Sequence, residues 1–459
     1  MSTTLTQAPL SRPALVAKYD GRAPRYTSYP TAVQFTPAVT AETYLGWLAE
    51  LPVDDPVSLY LHIPFCHRLC WYCGCNTRAV TRHEPVRDYV KFLVDEIAII
   101  ARALPARLSV DAVHFGGGTP NILTDAELGV IFAALRGAFT FTPNVEIAVE
   151  IDPALLTRDW VRAAASRGLS RASLGVQTLD PEVQRAVNRV ESFEHISQGV
   201  GWLREFGIGS INLDLMYGLP HQTVANVLSS LNQVLTLRPE RLALFGYAHV
   251  PWMKTHQKLL EESAMPGASE RLDQSEAAAA RLLAEGYVQI GIDHFALPTD
   301  DLALAQAEQR LHRNFQGYTA DAARTLIGLG VSAIGSLPQG YVQNISQEVG
   351  WRAGVAAGTP PIARGVPVTA DDRFRAEIIE RLMCDFEVDL ADVCVRHGRA
   401  LVDLKAERNL IADLAGDGLV EMRGDRLIVA AAGRAVVRTV CAAFDVYFAK
   451  GAGRHSRTL

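Results

Sequence analysis

Between residues 57 and 247 the chain alternates short strand-like runs with longer helical ones, and this alternation constrains its fold more than any other feature. The strand-like runs are VSLYLHI (57–63), VDAVHF (110–115), VEIAVEI (145–151), RASLGVQ (171–177), INLDLM (211–216) and RLALFGY (241–247). Between the second and third, Thr124 and Glu127 have the spacing of a capping box, and Leu128, Ile131, Phe132 and Leu135 recur at helical spacing. Strand and helix in turn imply parallel strands joined by right-handed crossovers. Six such units make an open or partial barrel, or a doubly wound sheet.

The two faces of these runs bear on that choice. Val145, Ile147, Val149 and Ile151 share one face, with Glu146 and Glu150 on the other. Ile211, Leu213 and Leu215 oppose Asn212 and Asp214. Ala172, Leu174 and Val176 oppose Arg171, Ser173 and Gln177. Leu59, Leu61 and Ile63 oppose Tyr60 and His62. A strand covered by helices on both sides would read as almost continuously apolar. One polar face per strand fits a partial barrel with a working lumen; a sheet with one solvated face is the plainer alternative. The fold class expected is therefore α/β, with a partial parallel barrel of six βα units.

The flanking segments differ. Residues 1–50 are proline-rich and read as an arm over the main domain, with Pro24 and Pro30 opposing a regular helix around them. The catalytic domain is expected over 51–300. A connecting segment over 301–368, including the loop-like RLHRNFQGYT (310–319), would contribute to the active site. From 369 to 459 a small, mostly helical module follows. It has a hairpin turning near Gly424 and Asp425 and a last helix over RAVVRTVCAAFDVYF (434–448), an order like that of a winged helix.

Hydrophobic residues make up 49% of the 459, enough to bury a core, and no apolar run reaches membrane-spanning length. The first residues show no basic start followed by an apolar block, so no export signal is expected and the cytoplasm is the expected compartment. Net charge is −6, which offers no general attraction to nucleic acid or anionic membrane. Only six of the 44 basic residues are Lys. Codon bias accounts for that, and so does recognition of carboxylates by the forked guanidinium.

Four of the seven cysteines crowd into PFCHRLCWYCGCN: Cys66, Cys70, Cys73 and Cys75. They follow the first strand directly, at the rim where barrel active sites sit. An odd number of cysteines in a long chain argues against a disulfide framework. Zinc is one reading, with Cys75, His62 or His67 as a fourth ligand, although the usual second pair is missing. An iron–sulfur cluster is another, and redox-active thiols are a third. The GGGTP after the second strand is neither a dinucleotide fingerprint, whose third glycine would fall on Asn121, nor a P-loop, since the chain has no Gly-Lys pair.

The C-x3-C-x2-C motif after the first strand of a βα barrel resembles the radical S-adenosylmethionine (SAM) superfamily. Together with HFGGGTP, VEIDP, GVQTLDPEVQRAVNR, INLDLMYGLPHQT, YAHVPW and HRNFQGYT, it is similar to the oxygen-independent coproporphyrinogen III oxidase family, in register from about Arg22 onward. The resemblance implies a [4Fe–4S] cluster on Cys66, Cys70 and Cys73, whose open iron binds SAM. One-electron cleavage then gives methionine and a 5′-deoxyadenosyl radical. Cys75 matches a family cysteine that is not a ligand, and a catalytic role for it stays open. Implied SAM contacts are Tyr60, Tyr72, Gly117, Gly118, Thr119, Glu150, Gln177, Arg189, Asp214, Ala248 and Ile334. A second SAM would lie near Gln316 and Ile334.

The implied reaction turns two propionates of coproporphyrinogen III into the vinyl groups of protoporphyrinogen IX, in heme biosynthesis. The resemblance also implies an electron donor such as a flavodoxin-type reductant and an unidentified electron acceptor. A monomer is the expected state. Arg25, in PRYTSYP, is a candidate anchor for unreacted propionates. Gly246 departs from the family, where Asn is expected, and puts the neighbouring Ala248 contact in question. A related heme chaperone keeps the motif but usually has an aromatic at position 75 and lacks the long arm. A redox-sensing DNA binder is the remote alternative. Against it, residues 385–413 carry seven acids and four bases, net −3, where a DNA-reading face would be basic.

Overall fold

The structure, a computed structural model, describes residues 10–448; the extreme start of the chain, read above for an export signal, lies outside them. Twelve strands form one sheet, numbered here in chain order. The first six are β1 (Val57–Ile63), β2 (Ser109–Gly117), β3 (Thr140–Ile151), β4 (Arg171–Gln177), β5 (Ser210–Tyr217) and β6 (Arg241–Gly246). They coincide with the six expected runs, to within a few residues at the ends. The others are β7 (Val288–Ile290), β8 (His294–Ala296), β9 (Thr325–Leu329), β10 (Ile334–Leu337), β11 (Gly340–Asn344) and β12 (Ile362–Pro367).

The spatial order is β12-β11-β10-β9-β1-β2-β3-β4-β5-β6-β8-β7. From β9 through β6 all neighbours are parallel, and both flanks are antiparallel. The order runs from one edge to the other without returning, so the sheet is open, as a partial barrel requires.

Helices cover the apolar face. Helix Glu84–Ala103 buries Val86, Tyr89, Val90, Leu93, Ile97 and Ile100, one stripe at helical spacing. Helix Asp125–Ala138 buries Leu128, Ile131, Phe132 and Leu135 and starts in the expected capping box: Thr124 Oγ1 accepts from Glu127 N, and Thr124 N donates to Glu127 Oε2 at 2.8 Å. The other face carries Tyr60, His62, His114, Glu150, Ser173, Asn212 and Asp214, held side by side by registers such as Tyr60 to His114 and Glu150 to Ser173.

Three segments differ from expectation. HRNFQGYT is not a loop: His312–Asn314 and Gly317–Thr319 pair as a hairpin, with strands too short to show an alternation. The run from 325 to 367, where the alternation fades, supplies four strands of the sheet. The last helix is cut to Val437–Ala442 after a 3-10 turn. Asp445 ends it, because its Oδ1 accepts from Tyr447 N at 2.9 Å and Phe448 N at 3.2 Å and turns the chain.

In the C-terminal module, helices Ala370–Asp385, Leu390–Arg396 and Lys405–Gly416 pack with β13 (Glu387–Asp389) and the hairpin of β14 (Val420–Arg423) and β15 (Arg426–Val429). The hairpin turns at Gly424, whose φ of +64° favours glycine. The N-terminal segment joins this module's core: Leu15, Tyr19, Tyr26 and Tyr29 are buried with Phe374, Ile378 and Phe444. Tyr26 Oη donates to Asp445 Oδ2 at 3.1 Å, and Thr36 bridges to Gly365 on β12. The arm therefore ties module and sheet together. Among the described residues no helix is long and apolar enough to cross a membrane.

Candidate active site

The polar face of the sheet lines a cavity of about 180 Å³ that Glu150, Asp214, His114, His294 and Gln316 all border. Glu150 Oε2 accepts from Gly117 N at 3.0 Å, and its Oε1 lies 3.3 Å from His114 Nε2. Enclosure raises a carboxyl's pKa, but these bonds outweigh it and hold Glu150 below its ordinary range. Asp214 accepts from Ser173 Oγ at 2.9 Å and from Asn212 Nδ2 at 2.7 Å. There enclosure wins, helped by the charge of Glu150, and Asp214 is pushed up to about 6. The two carboxyl groups of one lumen thus titrate apart, which permits different tasks.

His62 is not a free ligand. Its Nε2 donates to Asn76 O at 2.8 Å, which leaves Nδ1 to accept from Tyr60 Oη at 3.0 Å. Burial lowers its pKa, so the ring is neutral, and both nitrogens are committed. That removes it as a fourth zinc ligand.

The cysteine loop leaves the end of β1 and closes at its base, where Arg78 N donates to Pro64 O at 3.0 Å and Val80 N to Cys66 O at 2.8 Å. Each of the three motif sulfurs meets a donor. Thr119 Oγ1 donates to Cys66 Sγ at 3.2 Å, Arg189 Nη1 reaches Cys70 Sγ at 3.5 Å, and Cys75 N donates to Cys73 Sγ at 3.4 Å. Donors of this kind stabilise thiolates that ligate iron. Among the described residues no three Cys, His, Asp or Glu side chains converge on one point. A cubane does not ask for that, since it takes one thiolate at each of three iron corners. The donor set fits the cluster. Cys75 is exposed at the loop's edge.

The glycines of GGGTP have a packing reason. A Cβ on Gly118 would stand 2.4 Å from Thr77 Oγ1 and 2.6 Å from Phe65 O, so the second strand's end can press on the cysteine loop only without side chains. Gly117, at φ +113°, lies against the His62 ring.

Residues 60–234 match the Radical SAM superfamily, and residues 368–436 match the HemN C-terminal domain. A Bradyrhizobium diazoefficiens protein named oxygen-independent coproporphyrinogen III oxidase is 50% identical over 95% of this chain and 97% of its own. A Paracoccus denitrificans protein of the same name is 42% identical over 96% and 97%. The chain belongs to the oxygen-independent coproporphyrinogen III oxidase family. The solved structure of coproporphyrinogen III oxidase (HemN) from Escherichia coli superposes with a TM-score of 0.90 at 37% identity, covering 96% of this chain and all of that one. The radical SAM fold follows, and with it a [4Fe–4S] cluster and SAM as the family's cofactors. These matches favour neither the heme chaperone nor the DNA binder.

Within this family frame, most residues singled out from the sequence fall in two groups. Glu150, Asp214 and Gln316 belong to the lumen wall, and Tyr60 stacks on His114, which also lines it. Cys66, Cys70, Cys73, Gly117, Gly118, Thr119 and Arg189 belong to the cysteine loop and its support. Gln177 and Arg189 pinch Gly175: a Cβ there would stand 2.9 Å from Gln177 Nε2 and 3.2 Å from Arg189 Nη2. Ile334 lies farther along the sheet, its backbone against Gly328, which pairs with Tyr60.

Tyr72 and Ala248 are joined by a residue the sequence reading missed. Gln257, fully buried, donates to Tyr72 O at 2.9 Å and Ala248 O at 3.4 Å and accepts from Val250 N at 2.6 Å. Beside it, His256 Nε2 donates to Cys73 O at 2.7 Å and Lys254 Nζ to Cys75 O at 2.8 Å. Segment 248–257 thus grips the cysteine loop by its carbonyls. Only its nearness in sequence to YAHVPW could have signalled this.

Proposed function

We propose that this chain carries out the oxygen-independent oxidative decarboxylation of coproporphyrinogen III to protoporphyrinogen IX. The observation that carries the proposal is the three-sulfur loop, each sulfur met by a hydrogen-bond donor, at the mouth of a lumen walled by Glu150 and Asp214. Its end-to-end likeness to the E. coli oxidase supports the same reading. When bound, the cluster and SAM supply a carbon-centred radical able to take a hydrogen atom from the β-carbon of a propionate; loss of carbon dioxide and one further electron leaves a vinyl group.

The chain's own residues prepare that event. Cys66, Cys70 and Cys73 hold the cluster. Glu150, ionised, receives an ammonium group, and Gly117 and Gly118 present bare backbone where a side chain would block approach. Tyr60, Tyr72, Thr119, Gln177, Arg189, Asp214, Ala248 and Ile334 complete the SAM contacts. Gln316 and Ile334 stand where a second SAM would lie. The neutral ring of His62 braces Tyr60 without adding charge. Helices on the outer face and the closed base of the cysteine loop keep bulk water from the lumen, where a radical would otherwise be quenched. A flavodoxin-type reductant supplies the electron, the protein works in the cytoplasm, and Cys75 lines the edge of the site.

The test is anaerobic. Protein reconstituted with iron and sulfide receives SAM, a reductant and coproporphyrinogen III, and substrate mass is followed as carbon dioxide leaves. Turnover is expected in the wild type and in Cys384→Ala, a buried cysteine of the C-terminal module, and none in Cys66→Ala. A wild-type protein that binds zinc instead and yields no product refutes the proposal.

A further inference from the structure

Arg68, Arg78, Arg189 and Lys254 all belong to the cysteine loop or touch it, and they differ in what faces them. Arg78 pairs with Glu348 at 2.8 Å and Arg189 with Asp152 at 3.0 Å, while Arg68 lies 3.9 Å from Glu191. Each of these cations therefore shares the loop with a carboxylate of opposite sign. Lys254 does not. Its Nζ donates at 2.8 Å to Cys75 O, a neutral carbonyl, and this bond leaves the charge of the ammonium whole. Residues 248–260, the stretch around it, contain no Asp or Glu.

The segment fixes where this charge stands. His256 Nε2 donates to Cys73 O at 2.7 Å, and the fully buried Gln257 donates to Tyr72 O at 2.9 Å, so the backbone that carries Lys254 is pinned to the loop at two further carbonyls. The ammonium is within electrostatic reach of both the thiols and the lumen. The Cys73 thiol lies below its ordinary pKa, first through its hydrogen bond with the Cys75 thiol, and the charges of Lys254 and Arg189 add to that. Burial is the main reason His62 stays neutral, and Lys254 opposes a charge there as well.

A thiolate-held cluster becomes more negative by one unit when it takes up an electron, and no bond forms or breaks. A fixed cation beside it stabilises the reduced form more than the oxidised one and so raises the reduction potential. A cation matched by a carboxylate acts as a dipole, whose field falls off faster. We propose that Lys254 sets the potential of the cluster on Cys66, Cys70 and Cys73, its uncompensated ammonium making the cluster easier for the flavodoxin-type reductant to reduce. The inference rests on the cluster of the oxidase reading above. It gives segment 248–257 two tasks: its hydrogen bonds hold the loop in shape, and its one lysine at the loop supplies charge.

Full-length protein is reconstituted anaerobically with iron and sulfide and titrated with dithionite and redox mediators, without SAM and with it, while EPR reports the reduced cluster. Lys254→Arg keeps the wild-type potential. Lys254→Gln, which retains a donor for Cys75 O but no charge, lowers the equilibrium constant for reduction about tenfold, or about 59 mV for one electron. Lys254→Glu, with the charge reversed, lowers it further. Iron per chain and the melting temperature of the metal-free protein report loading and folding in each variant. Charge alone orders the series Arg, Gln, Glu; a purely structural role sets Arg and Gln equally far below the wild type and overturns the inference. Equal potentials in the wild type, Lys254→Arg and Lys254→Gln overturn it too and leave the oxidase reading intact. So does a shift seen only with SAM present, which puts the ammonium on SAM's carboxylate instead, and so does a Lys254→Gln that melts normally but takes up no iron, which marks a loading role. A wild type that takes up no iron–sulfur cluster overturns the inference and the oxidase reading together.

Discussion

Replacing Arg189 with Met removes a buried cation that braces the cysteine loop against the sheet. Arg189 Nη2 donates to Asp152 Oδ1 at 3.0 Å and to Gly175 O at 2.6 Å, and Nη1 reaches Cys70 Sγ. Both partners of the ion pair are buried, with side chains 9% and 8% exposed. Met fills much of the space but supplies no donor, so the Asp152 carboxylate stays buried without its cation and Gly175 O loses a bond. Breaking one side of a buried pair costs about 3–5 kcal/mol, against roughly 1 kcal/mol at most for an exposed pair. The assay is urea unfolding of the metal-free protein, where a fall in midpoint at constant slope reports stability. Asp152→Asn in the same chain removes the orphaned charge while keeping an oxygen to accept from Ala154 N, so the double variant recovers part of the loss. The reasoning fails if Arg189→Met costs less than about 1 kcal/mol, or if the two substitutions are additive, because the pair would then act like a surface contact.

Thr119→Val takes one hydroxyl from Cys66 Sγ; it should lower the reconstituted cluster's reduction potential by on the order of 40 mV, about 1 kcal/mol for one electron, read by potentiometric titration with EPR. The raised pKa of Asp214 means the folded chain holds that proton more tightly than the unfolded one. Its contribution to stability therefore falls as pH climbs from the unfolded value near 4 to about 6 and is level above, and Asp214→Asn should flatten the melting-temperature profile in that window. Gly118→Ala forces a methyl into Phe65 O, a backbone atom that cannot swing away, and should cost about 1–3 kcal/mol in thermal unfolding and lower the iron bound per chain. Gln257→Ala should leave the fold intact by circular dichroism but reduce iron uptake, because the hydrogen bond to Tyr72 O in the cysteine loop and the two that hold Ala248 and Val250 in place beside it disappear.

How much of this was legible without coordinates depends on the range of the interaction involved. The six central strands could be read because the alternation of Ile147, Val149 and Ile151 with Glu146 and Glu150 is a local consequence of the strand's two-residue period. The cysteine loop's position followed from its sequence neighbour β1, and the helix starting at Thr124 followed from its capping box. The strands of 325–367 left no such trace. They are short, and only pairing with β1 and with each other makes them strands at all. HRNFQGYT was misread as a loop for the same reason.

The sequence by itself therefore determined the class of fold, the polar face of each strand, and the place of the clustered thiols Cys66, Cys70 and Cys73, since all three are properties of neighbours along the chain. Tertiary structure alone decided that Gln257 would grip the cysteine loop and that Asp214 would titrate higher than Glu150. Those outcomes depend on which distant groups share a small volume of low polarizability, and residue spacing carries no information about that.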